Sequence, residues 1–195
     1  MTLKGMVMVT QKLALEWLQQ KPIFLDTETT GLDDQAQVVD LAIIDHDGTV
    51  LMDTLIRPTV SIPDEASAVH GISNIDVLAA PTFADVLPQI KAIVTDRILC
   101  IYNASYDIRI LRQSARAHLV EKKFEIGMWC AWNCVMELYA EYFGDWSEYY
   151  QSYRWQKLGD AASQCEIVTP KLHRAMADAE ITRLILIHMA NNGRH

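Results

Sequence analysis

Four carboxylates and one histidine, spread over three separated segments, are the residues of this 195-residue chain whose types suggest chemistry. They are Asp26, Glu28, Asp107, His173 and Asp178. Acidic side chains that converge in a fold repel one another, and a fold tolerates that mainly where cations bind. The set therefore indicates a metal-dependent phosphoryl-transfer site, in which the single imidazole is available to transfer a proton.

The first two acids lie in an apolar segment, residues 23–28, that reads as a strand. Because alternate residues of a strand point to the same face, Asp26 and Glu28 share one face and Thr27 points to the other. Two acids on one face of an apolar strand are costly unless something binds them. The alternative is a strand end that opens into solvent, and a short Asp-x-Glu motif taken alone favours that alternative.

The other candidates also lie at the edges of predicted elements. Asp107 falls in the first turn of a helix, where an acid also interacts well with the helix dipole. His173 and Asp178 would be about 140° apart if both were helical. We therefore place Asp178 in the first turns of the last helix and His173 on the loop before it. Each residue alone has an ordinary alternative, a helix acid or a surface histidine, but sheet folds carry functional groups at such edges.

Apolar periodicity predicts a mixed α/β architecture. Strands are expected at 23–28, 38–44, 49–57, 98–102 and 124–128, and helices at 10–20, 83–94, 105–118, 131–143, 156–165 and 175–189. The first three strands read as an antiparallel meander, and the later strands, which alternate with helices, should pair parallel in the same sheet. Residues 58–82 are predicted to be loop-rich, with Thr82 capping the helix that follows.

Composition sets broad limits on the kind of protein. A chain of this length that is 50% apolar can bury one sizeable core, so we predict a single domain over residues 1–195. The net charge of −8 counts against broad electrostatic binding of nucleic acid, but bound cations would offset an acidic nuclease site. The four cysteines are expected to be reduced thiols in a cytoplasmic protein, since no leader or membrane-spanning stretch is evident.

Three motifs resemble those of a known enzyme family. The segments 24–32, 103–107 and 173–179 resemble, in order, the three exonuclease motifs of the DEDDh (DnaQ-like) 3′–5′ exonucleases. That family includes the epsilon proofreading subunits of bacterial polymerase III, ribonuclease T and oligoribonuclease. The segments 56–58 and 65–72 also look like parts of the family, and the resemblance covers about residues 22–190.

The resemblance implies a ribonuclease H-like fold, a mixed five-stranded sheet flanked by helices. It also implies that Asp26, Glu28, Asp107 and Asp178 hold two divalent cations, Mg²⁺ or Mn²⁺. One cation would activate a water and the other would stabilise the leaving 3′ oxygen. His173 would be the general base that deprotonates the attacking water, and the product would be a nucleoside 5′-monophosphate.

The same resemblance implies contacts to the terminal nucleotide. The residues concerned are Thr29, Thr30, His70, Asn103 and Tyr106. Tyr106 stands where many members of the family carry Phe, a change that should preserve stacking. Lys171 and Arg174 flank His173 and are candidates for phosphate contacts. Arg109, Arg112 and Arg116 lie on the helix after Asp107, and for them a solvated helix face is at least as good an interpretation.

An aromatic-rich segment, residues 139–155, holds half of the aromatic side chains of the chain. Their spacing follows a helical stripe, although Gly144 and Asp145 can interrupt it. Such a stripe is typical of a core or a subunit interface. The alternative is a platform that stacks on bases without reading their sequence.

The substrate and the assembly state stay open at this point. Single-stranded 3′ ends of DNA or RNA are the expected partners, and short oligoribonucleotides are the alternative substrate. A non-catalytic binding module on the same fold should have lost a ligand or the base, whereas all five residues are present. A homodimer is possible, and a polymerase partner is possible but not indicated, because the chain ends soon after its last catalytic helix.

Overall fold

The computed structural model describes residues 3–118, 125–168 and 173–192. The strands, β1 to β7 in chain order, are Ile23–Thr29, Val38–Ile44, Val50–Leu55, Ile98–Ile101, Ala131–Cys134, Trp146–Ser147 and Ser152–Tyr153. The α-helices, α1 to α7, are Leu3–Gln19, Asp64–His70, Phe83–Val94, Ala104–Ala117, Val135–Phe143, Leu158–Gln164 and Ala175–Asn191. A short 3-10 helix, Ile126–Met128, precedes β5.

Five strands form one mixed sheet in the order β3-β2-β1-β4-β5. β1, β2 and β3 are antiparallel neighbours, which confirms the predicted meander. β4 pairs parallel with β1, and β5 pairs parallel with β4. β2 is buried along its whole length, as expected of a strand covered on both faces. The predicted five-stranded mixed sheet flanked by helices is therefore confirmed.

Helices from distant parts of the chain pack on the centre of this sheet. α7 packs against β1 and β2, whereas α4 packs against β1, β2, β4 and β5. α1 covers α7 and α5. All four cysteines are buried and free, as expected of reduced thiols in the core. In the described part of the chain, no helix is long and apolar enough to cross a membrane.

The prediction of the fifth strand was wrong. The residues assigned to it form the 3-10 helix Ile126–Met128, while Phe124 lies outside the described residues. The strand is instead Ala131–Cys134, at the start of a predicted helix, and α5 begins only at Val135. This apolar stretch fits both the helical period and the strand period. The edge of β4 decides where the strand forms, because pairing there satisfies backbone N–H and C=O groups of both strands.

Two helical segments were missed from the sequence. α1 begins at Leu3 rather than at residue 10, and α2 lies inside the segment predicted to be loop-rich. α2 starts after Pro63 and ends at Gly71, whose φ of 76° is the left-handed conformation that glycine adopts without strain. Proline before a short acidic segment and glycine after it are ordinary helix boundaries. The remaining predicted strands and helices are found with boundaries shifted by at most two residues.

The aromatic-rich segment divides at Gly144. The helical stripe holds only as far as Phe143, where α5 ends; β6 and β7 then form a separate hairpin. Tyr139 and Tyr142, on the helix, are buried, as a core stripe predicts. Tyr149, at the hairpin tip, is 87% exposed. The prediction of a core stripe is thus confirmed for the helix, whereas the hairpin aromatics Trp146, Tyr149 and Tyr150 are exposed and do not continue the helical stripe.

Candidate active site

The end of β1 presents two acids on one face of the sheet. Asp26 and Glu28 are partly buried, whereas Thr27 between them is buried on the opposite face. The register between β1 and β2 shifts just after Glu28, so that pairing becomes irregular where the acids leave the sheet. Such irregularities commonly re-aim side chains near functional sites.

The turn between β4 and α4 brings the third acid to the end of β1. Asn103 has a left-handed backbone, φ 71° and ψ 51°, which Asn adopts more readily than most residues. The chain can therefore turn sharply into α4 and place Asp107 in its first turn. Asp107 is 4% exposed, and its carboxylate accepts a hydrogen bond of 2.7 Å from the Thr27 hydroxyl. This bond joins the second motif to the first.

The last segment adds the imidazole and the fourth acid. His173 is exposed and lies before α7, as predicted, while Asp178 is in the first turn of α7. The backbone N–H of His173 donates to the Asp178 carboxylate at 3.3 Å. His173 has a φ of 67°, which costs an L-residue about 1–2 kcal/mol, so its surroundings must hold it there. Lys171, a predicted phosphate contact, lies outside the described residues.

Side chains from these segments converge closely enough to share an ion. One ligand atom each from Glu28, His173 and Asp178 lies within 4.8 Å of the other two. One carboxylate oxygen of Asp178 is buried and has no hydrogen-bond partner. An orphaned carboxylate oxygen beside other acids is what a hard divalent cation would satisfy. The residues present therefore fit a metal site.

The electrostatics of the cluster support the same conclusion. Burial, reinforced by the neighbouring acids, raises the pKa of Glu28 to about 8. Burial also raises the pKa of Asp107 to about 7, against the opposing Thr27 hydrogen bond. The pKa of Asp26 is raised well above its ordinary value by burial first and by Asp107 next. Without a cation these carboxyls resist ionisation; a bound cation would reverse that preference.

Asp40 is a further acid at the site that the sequence patterns did not reveal. It lies on β2 directly opposite Glu28 and is 1% exposed. Its carboxylate accepts a 2.8 Å hydrogen bond from Arg174, the residue after His173. A signal was available in the chain, because an acid inside the apolar run Val38–Ile44 needs a buried partner. Strand periodicity alone could not say which partner that would be.

The predicted nucleotide-contacting residues all line one cavity of about 600 Å³ beside the acids. They are Thr29, Thr30, His70, Asn103 and Tyr106. Leu32 and Val69, which were not predicted, also line it and are 80% and 53% exposed. Exposed apolar side chains at the wall of a cavity are suited to contact a flat apolar group.

Hydrogen bonds hold the wall of this cavity in place. The Tyr106 hydroxyl donates to the Gly31 carbonyl at 2.9 Å and lies 2.7 Å from the Thr29 hydroxyl, contacts that a Phe could not make. His70 Nδ1 accepts the N–H of Ile72, so Nε2 carries the proton and donates to the Thr29 carbonyl at 3.2 Å. Burial lowers the pKa of His70, which favours this neutral form.

Two arginines of α4, Arg109 and Arg112, bond to groups of the protein itself, whereas Arg116 is exposed. Arg109 donates to the carbonyls of Leu32 and Asp33, and its guanidinium lies 5.2 Å from the centre of the Tyr106 ring. Arg112 forms an ion pair with Glu125 at 2.6 Å. These bonds use donors that a phosphate would need. Arg109 and Arg112 therefore fit structural roles better than a phosphate-binding patch.

Comparisons with known proteins agree with this geometry. The sequence model of the RNase_T family, described as exonuclease, matches residues 23–186. The uncharacterized exonuclease CP81 of Escherichia phage 186 is 40% identical to this chain over 185 residues, covering 92% of this chain and 93% of that protein. The DNA polymerase III subunit epsilon of Aquifex aeolicus is 26% identical over 169 residues, covering 85% and 78%.

Solved structures show the same relationship. Exonuclease X in complex with 5′ overhanging duplex DNA has a TM-score of 0.65 and 28% identity, covering 87% of this chain and 90% of that one. Exonuclease I has a TM-score of 0.68 but only 16% identity, covering 89% and 41%, which is a likeness of fold alone. The predicted ribonuclease H-like fold and the DnaQ-like resemblance are confirmed. This chain belongs to the RNase_T exonuclease family and is an exonuclease of the DnaQ-like type.

Proposed function

We propose that this protein is a divalent-cation-dependent 3′–5′ exonuclease that hydrolyses single-stranded 3′ ends of DNA to nucleoside 5′-monophosphates. The observation that carries the proposal is the junction of two features. Glu28, His173 and Asp178 converge within 4.8 Å, and Glu28 also lines the 600 Å³ cavity. A strand end held in the cavity would therefore present its last phosphodiester to the acids and the imidazole.

The donor set favours two hard cations. Asp26, Glu28, Asp107 and Asp178 offer only oxygen ligands, which Mg²⁺ and Mn²⁺ prefer. When bound, such cations would supply Lewis-acid polarisation of the phosphodiester and lower the pKa of a water molecule. Four ionised carboxylates carry four negative charges, which two divalent cations would balance. We therefore propose a two-cation site.

His173 is the proposed general base. Its side chain is exposed while its backbone N–H is tied to Asp178, so the ring borders both solvent and the acidic cluster. An imidazole in that position can accept the proton of an attacking water and release it to solvent after each turnover. Because His173 also lies within 4.8 Å of two carboxylates, a role as cation ligand is the alternative to be tested.

The cavity sets the proposed orientation of the strand. Its volume lies in the range of small-ligand sites, about 300–1,000 Å³, which suits one terminal nucleotide rather than a duplex end. Leu32 and Val69 would contact the base, and the side-chain amide of Asn103 would face the sugar or phosphate. The DNA in the complex of exonuclease X supports DNA as the substrate here.

A labelled-strand assay tests the polarity. With 5′-labelled single-stranded DNA and Mg²⁺, we expect a ladder that shortens from the 3′ end, nucleoside 5′-monophosphates as products, and no activity in EDTA. A strand whose last linkage is a phosphorothioate should resist digestion. Release of label as a mononucleotide at the start of the reaction, or internal cuts, would contradict the proposal.

The same assay compares substrates. Parallel reactions contain single-stranded RNA, blunt duplex DNA and a dinucleotide of either sugar type, each at equal concentration of 3′ ends. We expect kcat/KM to be highest for single-stranded DNA. A higher kcat/KM for RNA or for the dinucleotide would indicate that the same chemistry serves RNA trimming or short-oligonucleotide degradation instead.

A further inference from the structure

A buried ion pair links β2 to the segment that carries His173. Asp40 Oδ2 accepts from Arg174 Nε at 2.8 Å and from the backbone N–H of Ala175 at 3.4 Å. Ala175 is the first residue of α7, and Arg174 makes no side-chain cap of its own. Asp40, on β2, therefore satisfies the first N–H of α7, for which the residues next to the helix supply no side-chain cap.

The two bonded residues, Arg174 and Ala175, lie between His173 and Asp178 in the chain. Arg174 directly follows His173, and the helix whose first turn Asp40 caps carries Asp178. Asp40 is also paired with Glu28 in the register between β2 and β1. The residue that binds Arg174 therefore has a fixed position beside Glu28. Within the described residues, these are the bonds that attach this end of α7 to the sheet beside Glu28. A shift of Arg174 would displace His173 relative to Glu28.

The burial of the pair is asymmetric. The Asp40 side chain is 1% exposed, whereas that of Arg174 is 49% exposed. A buried carboxylate needs a fixed cationic donor, since water cannot replace it there. Arg174 is bound through its inner nitrogen, Nε, at 2.8 Å, while its side chain as a whole is half exposed. This bond holds Arg174 beside the Asp40 carboxylate and so fixes the chain next to His173.

We propose that Asp40 and Arg174 are positioning residues for the exonuclease reaction: together they hold His173, in its left-handed backbone conformation, against Glu28 and Asp178. The inference rests on the exonuclease function proposed above. Neither residue reacts; the pair fixes where the imidazole stands when the water is deprotonated.

The pair makes a specific kinetic prediction. Arg174→Ala should lower kcat on single-stranded DNA by about 10–100-fold, the usual cost of losing a partner that orients a reacting group, while KM changes little. Arg174→Lys should recover part of the loss, because it retains a donor for Asp40. The matched control is Arg183→Ala, which removes an arginine of the same helix bound to Glu180 at 2.7 Å. That variant should keep its kcat even if its Tm falls.

A double variant separates positioning from stability. Arg174→Ala alone leaves the Asp40 carboxylate buried and unpaired, which should lower the Tm. Adding Asp40→Asn removes that charge, so the Tm should recover while kcat stays low. If kcat recovers together with the Tm, the pair acts only through stability and the inference is overturned. A rise in KM alone would equally overturn it, because Arg174 would then contact the strand.

Failure of this inference is distinct from failure of the proposed function. A wild-type protein with no nuclease activity in Mg²⁺ or Mn²⁺ contradicts the exonuclease proposal. An active wild type with an equally active Arg174→Ala variant contradicts the positioning inference alone.

Discussion

Two of the regions that the structure describes each combine a cavity, acids and aromatic side chains, and one of these two fits a catalytic site. The first, here called the β1 end, consists of Asp26, Glu28, Asp107, His173 and Asp178 with the adjoining cavity of about 600 Å³. The second, here called the α5 face, consists of Glu137 and Glu141 of α5 with Trp146, Tyr153 and Trp155 around a cavity of about 370 Å³. The composition of the two regions is similar. The two regions differ in how deeply their acids are buried and in whether the acids come from one element or from several.

At the β1 end the acids come from separate elements and are drawn together out of solvent. Asp107 and Asp178 are 4% and 7% exposed and lie on two different helices, α4 and α7. On the α5 face, Glu137 and Glu141 are one helical turn apart and exposed. Exposed like charges repel weakly because water screens them, whereas buried ones interact strongly. Convergence together with burial, rather than acidity, distinguishes a site that can hold cations.

The largest expected effect comes from removing a buried acid. Asp26→Ala should lower nuclease activity by about 10³-fold or more, because the proposed site would lose a cation ligand. The protein should remain folded, and without cations at alkaline pH its Tm should not fall, since a buried like charge has been removed. Steady-state kinetics and a thermal melt measure both quantities.

Glu137→Ala on the α5 face is the control for this substitution. It removes one carboxylate of equal charge from a helix, and it should leave kcat and KM unchanged. Full activity of a clean preparation of Asp26→Ala, or an equal loss in Glu137→Ala, would remove the functional distinction between the two regions.

Removing the imidazole of His173 should give the next largest effect. His173→Ala should lower kcat by about 10²–10⁴-fold, the usual contribution of general acid–base catalysis. Its affinity for Mn²⁺, measured by calorimetry, should change far less. Equal losses in rate and in Mn²⁺ affinity would instead identify His173 as a cation ligand, which its distance from Glu28 and Asp178 permits.

Buried acids also predict how stability depends on pH. The pKa values of Glu28 and Asp107 rise from 4.5 and 3.8 to about 8 and about 7 on folding, so the folded protein holds protons that the unfolded chain releases. That stabilisation is complete below the unfolded values and is lost as pH rises through the folded ones.

The Tm of the cation-free protein should therefore fall as pH is raised from about 5 to about 8.5. Added Mg²⁺ should raise the Tm most at the alkaline end, where the carboxyls ionise and bind it. A Tm that is flat or rises over this interval in EDTA would show that the acids are not buried against one another.

The smallest effect is expected at the hairpin tip. Tyr149→Ala should change the free energy of unfolding by no more than about 0.5 kcal/mol, because the side chain is 87% exposed. Tyr139→Ala, on the buried side of α5, should cost about 3–5 kcal/mol in the same urea titration.

KM for long single strands should also be unchanged in Tyr149→Ala, since the acids of the α5 face repel a phosphate backbone. A raised KM would show that the hairpin stacks on bases.

Much of the fold followed from local patterns. Turn residues and alternating apolar residues predicted the β1–β3 meander, and Thr82 with Asp85 forms the capping box that starts α3. β5 could not be found in this way. Its residues also fit a helix, and only the open edge of β4 selects the strand. The hairpin after Gly144 was missed for a related reason. The helical spacing of the aromatic residues continues past Gly144, although the backbone leaves the helix there.

The sequence by itself determined the chemistry and the local placement of its main groups. Residue type and strand period put Asp26 and Glu28 on one face, and helix period put His173 off the helix of Asp178. Only the tertiary structure decided which groups meet. The cavity walls, the exposure of the hairpin and the ion pair of Asp40 with Arg174, 134 residues apart, depend on contacts between distant elements. Local propensities act over a few residues, whereas burial and charge pairing depend on how the whole chain packs.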